Sequence, residues 1–460
     1  MIFVFYFFAA ILIWLSFKSF RGGVEYLGFF KDELANPRSD FTPFVSIIAP
    51  CRGLDAGLEQ NLTALVRQDY PDYEVIFVVD NEMDEAVSII SDLLNRRDAE
   101  TGGNPSGSEG VGRGVPRLLK YTLPATSVSA SASLRLCGEN SVTSKMIVAP
   151  KAEGCSQKVE NLREAVLHAA PESKAFVFVD SDARPTTDWL RNLVAPLACE
   201  NVGAATGYRW FISKTPTFGS ELRSVWNASI ASALGPSTKT NFCWGGSLAI
   251  RRDVFESVDM REKWRGTLSD DFAVTRAMNA ANLPVVFVPQ ALTASVEDCS
   301  LPETFEFTNR QMKITRVYAT SLWLMSFVGS ALFNAVMLAA LLIVIFSRTN
   351  SLPVWISLAV LFLVTIFSVG KSWLRLAAVK LVLPEYKAEL KRQFWTQNTL
   401  WILSPALFFF NSVTALLSRR MPWRGPGICS VNPAMWRHGS TRKSTVCSVG
   451  EHPPLRICRS

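Results

Sequence analysis

Apolar residues along this chain fall into two patterns. Four stretches, 2–17, 323–346, 353–370 and 399–417, are almost free of charge. Each is about long enough to cross ~30 Å of hydrocarbon as a helix. Between the first and second lies a mixed, charged stretch long enough for a soluble domain of ordinary size. There the pattern changes to short β-branched runs alternating with helical ones. Residues 44–49 (FVSIIA), 73–80 (YEVIFVVD), 146–149 and 175–180 (AFVFVD) read as strands, and 44–49 as a strand buried on both faces. Residues 58–67, 85–96, 158–170 and 273–281 read as helices. Such alternation predicts an α/β domain with a largely parallel sheet and ligands at the C-terminal ends of its strands.

Two stretches follow neither pattern. Residues 100–139 are rich in Gly, Ser, Thr and Pro without a sustained period, and 425–460 are Ser-, Pro- and Arg-rich. Disorder is the expectation for both. Lys18 and Arg21 directly follow the first apolar run. That favours an uncleaved anchor with this flank in the cytosol. A cleaved signal peptide would show a basic n-region and a small-residue cleavage site.

Composition alters this picture little. Of 460 residues 48% are hydrophobic, and the formal net charge is +7. Much of that excess (Lys371, Arg375, Lys380, Lys387, Lys391, Arg392) flanks apolar segments, where cations face the cytosol and anionic headgroups. Nucleic acid is therefore not an expected partner. Nine cysteines without a CxxC pair, and three histidines, argue against a zinc site or a disulfide framework. A reducing compartment fits.

Three clusters carry candidate chemistry. A strand runs into Asp180-Ser181-Asp182, and alternating carboxylates there can turn oxygens toward Mg²⁺ or Mn²⁺. A solvated turn capping the next helix is the alternative. Asp270 and Asp271 precede a helix and read either as N-caps or as a source of the general base for an acceptor hydroxyl. Gly245 and Gly246, just upstream, allow close backbone approach to a ligand. Arg310, Lys313 and Arg316 recur every three residues on one helix face. They read as an interfacial helix, as cations near a pyrophosphate or acceptor, or as both.

In this order, the motifs resemble the ceramide glucosyltransferase family and its bacterial lipid-glycosylating relatives, among the membrane-bound inverting GT-A glycosyltransferases. The resemblance covers about 44–317 and extends more weakly to 423–425. The family's first acid corresponds to Asp84, within Val79-Asp80-Asn81-Glu82-Met83-Asp84. Its DxD-like acid corresponds to Asp180, and the base of its acid pair to Asp271. Residues 157–162 (QKVENL) are similar to its KVNNL-type segment, and 50–55 (PCRGLD) to its PxKGxD-type loop. At the family's (Q/R)xxRW motif the chain departs: from Arg310, Lys313 stands for Arg and Ile314 for Trp. Lys313 keeps a charge but loses the planar fork.

The resemblance implies a GT-A (Rossmann-like) nucleotide-sugar domain with an N-terminal transmembrane anchor and a C-terminal α-helical transmembrane bundle. The expected division is an anchor at 1–21, the GT-A domain at 22–300 with the 100–139 insertion, an interfacial helix at 301–322, the bundle at 323–420 and a tail at 421–460. The implied reaction moves a hexose from a UDP-sugar, UDP-glucose above all, to the hydroxyl of a membrane lipid such as ceramide. Asp271 is the implied base with Asp270, Arg310 and Lys313 beside it, and Asp180 and Asp182 hold Mg or Mn. Pro50, Arg52, Asp80, Asp84 and Lys158 are assigned to the nucleotide pocket, with helix capping the alternative for Asp80 and Asp84. The catalytic domain is expected on the cytosolic side of a bacterial inner membrane, or of the ER or Golgi in a eukaryote. Two rival functions are a processive polysaccharide synthase of the cellulose or hyaluronan type, and a non-catalytic membrane scaffold.

Overall fold

A computed structural model of the chain describes residues 2–37, 39–101, 130–132, 141–418, 420–422 and 428–430. The first apolar run opens one long helix, α1 (Ile2–Ala35), which does not stop at residue 21. Its second half turns aromatic side chains into the α/β core. Tyr26 and Phe30 are buried, Phe30 lies 6.1 Å from Phe287 between ring centroids, and Gln290 Nε2 donates to the Glu33 carbonyl at 2.8 Å. Anchor and domain thus share a helix instead of meeting at a boundary.

The domain begins with the expected alternation: β1 (Val45–Pro50), α2 (Leu58–Val66), β2 (Asp72–Val79) and α3 (Glu85–Thr101). Then come β3 (Ala130–Ala132), β4 (Ser141–Val148), α4 (Gln157–Ala165) and β5 (Ala175–Phe178). Beyond β5 the elements shorten to β6 (Ala183–Arg184), α5 (Trp189–Val194), β7 (Ala204–Thr206) and β8 (Arg209–Ile212), before the longer α6 (Phe218–Ala231). The domain closes with β9 (Leu248–Arg251), α7 (Arg252–Ser257), α8 (Met260–Lys263), α9 (Asp270–Ala280), β10 (Val285–Phe287) and β11 (Thr293–Val296). The main sheet has the order β10-β7-β9-β5-β1-β2-β4-β3, and β6-β11-β8 form a second, smaller sheet. From β5 through β4 all neighbours are parallel, whereas β9 runs antiparallel between β5 and β7. The sheet is therefore mixed, and its parallel half is the half the hydrophobic pattern exposes.

Successive side chains of a strand point to opposite faces. Ile47, Val75 and Val177 accordingly enter one core cluster, and Ile48, Ile76 and Phe178 enter the other. Both faces are covered, which is why β1, β2 and β5 read as nearly continuous apolar runs; the buried exceptions, Ser46 and Glu74, hydrogen-bond to each other at 2.5 Å. The third expected strand is longer than its apolar residues: it begins at Ser141 instead of Met146. Of the expected disordered stretches, 102–129, 133–140, 423–427 and 431–460 lie outside the described residues, while Ala130–Ala132 pairs with β4.

The C-terminal part contains α10 (Leu301–Tyr318), α11 (Thr320–Phe346), α12 (Leu352–Val382), α13 (Lys387–Thr399) and α14 (Ser404–Leu417), then a small ribbon of β12 (Arg420–Pro422) and β13 (Ile428–Ser430). A capping box of Ser300 and Glu303 starts α10. The interfacial helix expected to reach residue 322 breaks at Ala319, where φ is −141° and ψ 66°. Helices α1, α11 and α12 are long and apolar enough to cross a membrane. Along α1 and α12 the backbones approach closely: a Cβ on Gly23 would lie 3.3 Å from the Lys371 Cα, the kind of contact small residues permit between membrane helices. The expected fourth span is bent, for the segments Pro384–Ile402 and Ser404–Leu417 meet at 57°. Pro405 lies in the first turn after the bend, where its missing N–H is tolerated. Arg375, expected at headgroups, is instead 5% exposed and turned inward. The whole is a mixed α/β domain on an apolar helical base.

Candidate active site

The strand ends build the site. Past β1, Cys51 N donates to Val78 O at 2.8 Å, and the chain turns through Gly53 and Gly57, whose φ values of 65° and 69° are left-handed. Asp84 fixes this loop: its Oδ1 accepts from Gly53 N at 2.8 Å and from Ala86 N at 2.9 Å. The capping alternative thus describes its contacts. Asp80, at the end of β2, is 7% exposed and pairs with Lys151 at 2.7 Å. Pro50 and Arg52 line a cavity above the strand ends, but Asp80 and Asp84 do not.

Past β5 come the alternating acids. Ser181 Oγ donates to Asp55 Oδ2 at 2.7 Å, and Asn61 Nδ2 on α2 donates to Ser181 O at 2.9 Å, so the turn is clamped from both sides. Lys158, near the start of α4, lies 2.7 Å from Asp180 Oδ1 and 3.2 Å from Asp270 Oδ2. It therefore bridges the two acidic clusters that the sequence left separate. Burial works against its ammonium, yet the two carboxylates outweigh burial and raise its pKa. For Asp180, Lys158 and Arg209 outweigh burial and hold the carboxyl below its usual range.

Arg209, a residue the sequence reading missed, sits on β8 and donates to Asp182 Oδ2 at 3.2 Å. Its guanidinium stacks over the Trp244 ring at 4.9 Å. Asp182 Oδ1 is buried with no hydrogen-bond partner among the described residues. Burial pushes the Asp182 carboxyl up to about 7; Arg209 opposes this, while Asp180, Glu297 and Asp55 add to it. A buried, unpartnered carboxylate oxygen amid other acids suits a hard cation. Among the described residues, no three His, Cys, Asp or Glu side chains form a ready-made metal cage. One or two carboxylates plus substrate phosphates are the usual donor set for Mg²⁺, and these residues fit it.

The acid pair begins α9. Asp270 is 5% exposed, and burial pushes its carboxyl up to about 6, with Lys158 opposing and Asp271 and Asp180 adding. Asp271, half-buried, accepts from Ser269 Oγ and, at 2.7 Å, from Phe272 N. The glycines upstream serve this pair: a Cβ on Gly245 would stand 1.9 Å from Asp270 Oδ2. Close approach there is to the protein's own carboxylate. From α10, Tyr318 OH accepts from Leu268 N at 2.8 Å and its ring stacks on Phe272 at 5.8 Å.

The three cations of α10 part company. Arg310 lines the cavity; Lys313 does not, and burial lowers its pKa. Arg316 donates to the Ala415 and Leu416 carbonyls at the end of α14. Ile314, in the position of the family's Trp, is buried with Tyr318 against Leu268 and Phe272.

One cavity of about 1570 Å³ joins these parts. Its upper wall includes Arg52, Lys158, Asp180, Asp182, Asp270, Asp271 and Arg310, and it continues down to Leu12, Phe333, Phe367 and Trp401 on the apolar helices.

Comparison with known proteins identifies relatives. Residues 8–98 and 140–429 match the family described as glycosyl transferase family 21, so the match omits 99–139 and stops before the final 31 residues. Among solved structures, similarity is found to the mannosyltransferase PcManGT from Pyrobaculum calidifontis in complex with GDP-Man and Mn²⁺, at 18% identity and TM-score 0.39, covering 89% of this chain and 99% of that one. A second is glucosyl-3-phosphoglycerate synthase from Mycobacterium tuberculosis in complex with Mn²⁺ and UDP-glucose, at 13% identity and TM-score 0.32, covering 64% and 83%. A third is residues 1–349 of TarS from S. aureus, at 12% identity and TM-score 0.32, covering 79% and 90%. All three are distant.

Proposed function

The chain belongs to glycosyl transferase family 21, and from that premise we propose that it transfers a hexose, with inversion, from a UDP-sugar to the hydroxyl of a membrane lipid such as ceramide. UDP-glucose is the donor the motif resemblance favours. The observation that carries the lipid acceptor is the single cavity running from the acid pair to the apolar helices. A lipid entering between those helices brings its headgroup to the acids without a channel through the domain. An extruded polymer would need such a channel.

Asp271 is the base: it lines the cavity, and the Phe272 amide orients its carboxylate. It takes the proton from the acceptor hydroxyl as the oxygen attacks the anomeric carbon, and the bond to the diphosphate breaks. A positioned base contributes ~10² to 10⁴ in rate. Lys158 holds Asp180 and Asp270 in register, and Arg52 and Pro50 border the nucleotide end. Asp180 and Asp182 would hold Mg²⁺ or Mn²⁺, whose chemistry is to neutralise charge on the departing diphosphate. Arg310 lies on the acceptor side. The catalytic domain faces the cytosol, where the charges flanking the first apolar run direct it.

The test is to incubate membranes holding the full chain with a panel of labelled nucleotide sugars, then extract lipids for mass spectrometry. Wild type is expected to give one monoglycosyl lipid, and Asp271→Asn about 10² to 10⁴ less of it with donor affinity little changed. A polymeric product, or full activity in Asp271→Asn, overturns the reading.

A further inference from the structure

Low on the cavity wall, away from the acids, stand two cations without a carboxylate. Lys371 and Arg375 lie one helical turn apart on α12 and both line the cavity. Arg375 is 5% exposed. Its Nη2 donates to Gln397 Oε1 at 3.1 Å, and its Nε is buried without a partner among the described residues. Lys371 Nζ donates to Ser19 Oγ on α1 at 2.9 Å. Neither makes an ion pair among the described residues. Like charges at i and i+4 repel, and a buried, uncompensated charge is strongly unfavourable. Such a pair persists where something anionic completes it.

Their depth says what kind of anion. On α12 the uncharged run ends at Gly370, one residue before Lys371; on α1 it ends at Phe17, two residues before Ser19. The Ser19–Lys371 bond ties these two ends at one level, and Trp373 beside them is 54% exposed, as aromatic residues are at a membrane–water boundary. Ser16 and Ser368 line the same cavity and offer hydroxyl donors, whereas Ser372 Oγ donates to Gln397 O at 2.8 Å. An Arg and a Lys converging with hydroxyls suit a phosphate group.

We propose that Lys371 and Arg375 form an anion site at the bilayer boundary that takes the phosphate of an anionic membrane lipid headgroup, one that carries no ammonium of its own. The site is separate from the donor end, and the inference does not depend on which sugar is transferred. A phosphate here sets a negative charge between two repelling cations, Arg375 buried and Lys371 half-buried, and fastens α12 to α1 and, through Gln397, to α13.

The full chain is placed in lipid nanodiscs of phosphatidylcholine, with or without phosphatidylglycerol, and in phosphatidylcholine with inorganic phosphate in the buffer. Unfolding temperature and lipid retained in native mass spectrometry are measured. Phosphatidylglycerol is expected to raise the unfolding temperature of wild type and to remain bound, while inorganic phosphate does neither. Lys371→Gln and Arg375→Gln are each expected to bind the anionic lipid about tenfold more weakly, as for loss of one charge-assisted hydrogen bond. In phosphatidylcholine alone Lys371→Gln is expected to be at least as stable as wild type, since it keeps a donor for Ser19 and loses an uncompensated charge. A purely structural role for Lys371 predicts the opposite. If Arg375→Gln does not fold, Lys371→Gln alone carries the test. Protection of Lys371→Gln by phosphatidylglycerol equal to that of wild type overturns the site. Equal protection of wild type by inorganic phosphate overturns the lipid as its source.

Discussion

Gly245 and Asp270 stand closer than any side chain would allow, and that contact makes the acid pair sensitive to one methyl group. Ala at 245 would set a methyl 1.9 Å from Asp270 Oδ2 and 3.0 Å from Lys158 Nζ, so the carboxylate must leave Lys158. Overpacking of this kind destabilises by about 1–3 kcal/mol, and here it also opens the Asp180–Lys158–Asp270 chain. Gly245→Ala is therefore expected to lose most transfer activity while its melting temperature falls only modestly; near-normal activity would mean the bridge is dispensable. Asp270 makes a second prediction, through protons. Its folded carboxyl is pushed up to about 6 from an ordinary 3.8, so between those values the folded state holds the proton more firmly than the unfolded one. The stability this group contributes is present at low pH and is lost as pH rises through that window. Asp270→Asn does not titrate. Its melting temperature relative to wild type is expected to climb from pH 4 to pH 6 and then level off. A flat difference would show that Lys158 cancels the cost of burying the charge. In sequence, Asp270, Asp271 and the glycines were visible as a cluster, but the glycines' purpose was not, because contact across the fold leaves no periodic trace.

Elements were legible where their period had room to show itself. Strands β1, β2 and β5 and helices α2, α4 and α9 occur within a few residues of where the hydrophobic pattern predicts them. Strands β6, β7, β8, β10 and β11 are only two to four residues long, and with them the second sheet was missed; β5 is no longer, but its apolar run ending in Asp180 made it legible. Arg209 was lost for that reason: it opens β8 (RWFI), where a single cation beside aromatics reads as an edge charge. The signal that could have found it is an Arg bound to a run of buried aromatics, since burial of such a cation demands an acid. Helix α10 was predicted as one cationic face, and its three cations instead do different work. Arg316 caps α14, Lys313 stays off the cavity, and Arg310 reaches the cavity. If Arg310 lies on the acceptor side, Arg310→Ala is expected to reduce transfer to lipid by about tenfold or more, the worth of one charge-assisted contact, and to spare slow hydrolysis of the donor by water. Equal loss of both reactions would move Arg310 to the diphosphate, and no loss of either would leave it a headgroup contact.

At the scale of the whole molecule, the path of the last apolar segment decides which side of the membrane receives the C-terminus. Four passes would leave it opposite the catalytic domain, setting Arg419, Arg420 and Arg424 on the side where basic residues are disfavoured; Arg419 and Arg424 lie outside the described residues. The contacts of α13 and α14 give another path. Gln393 on α13 accepts from Trp210 Nε1 of the α/β domain at 2.9 Å, so the segment sets out from the domain. Trp401 then meets Phe333, well along α11, at 6.0 Å. Past the bend the chain turns back: Phe409 meets Phe327 at 5.6 Å, and Ser412 O accepts from Trp323 Nε1 at 3.3 Å. Leu416 O finally reaches Arg316 of α10 at 3.1 Å. Each partner lies nearer the start of α11 than the one before, so α14 climbs back toward the domain it left. Its 14 residues span about 21 Å at 1.5 Å per residue, short of the ~30 Å hydrocarbon core. The polar backbone at the bend is tolerated at that depth because it borders the protein's own cavity, which Trp401, Ser404 and Pro405 line. These contacts predict a re-entrant hairpin in place of a fourth crossing, with crossings by α1, α11 and α12 returning the tail to the side of the catalytic domain. A thiol at Cys429, in β13, is expected to react with a membrane-impermeant maleimide only from the face that also exposes the catalytic domain to protease. Labelling of Cys429 from the opposite face of sealed vesicles would restore the fourth crossing.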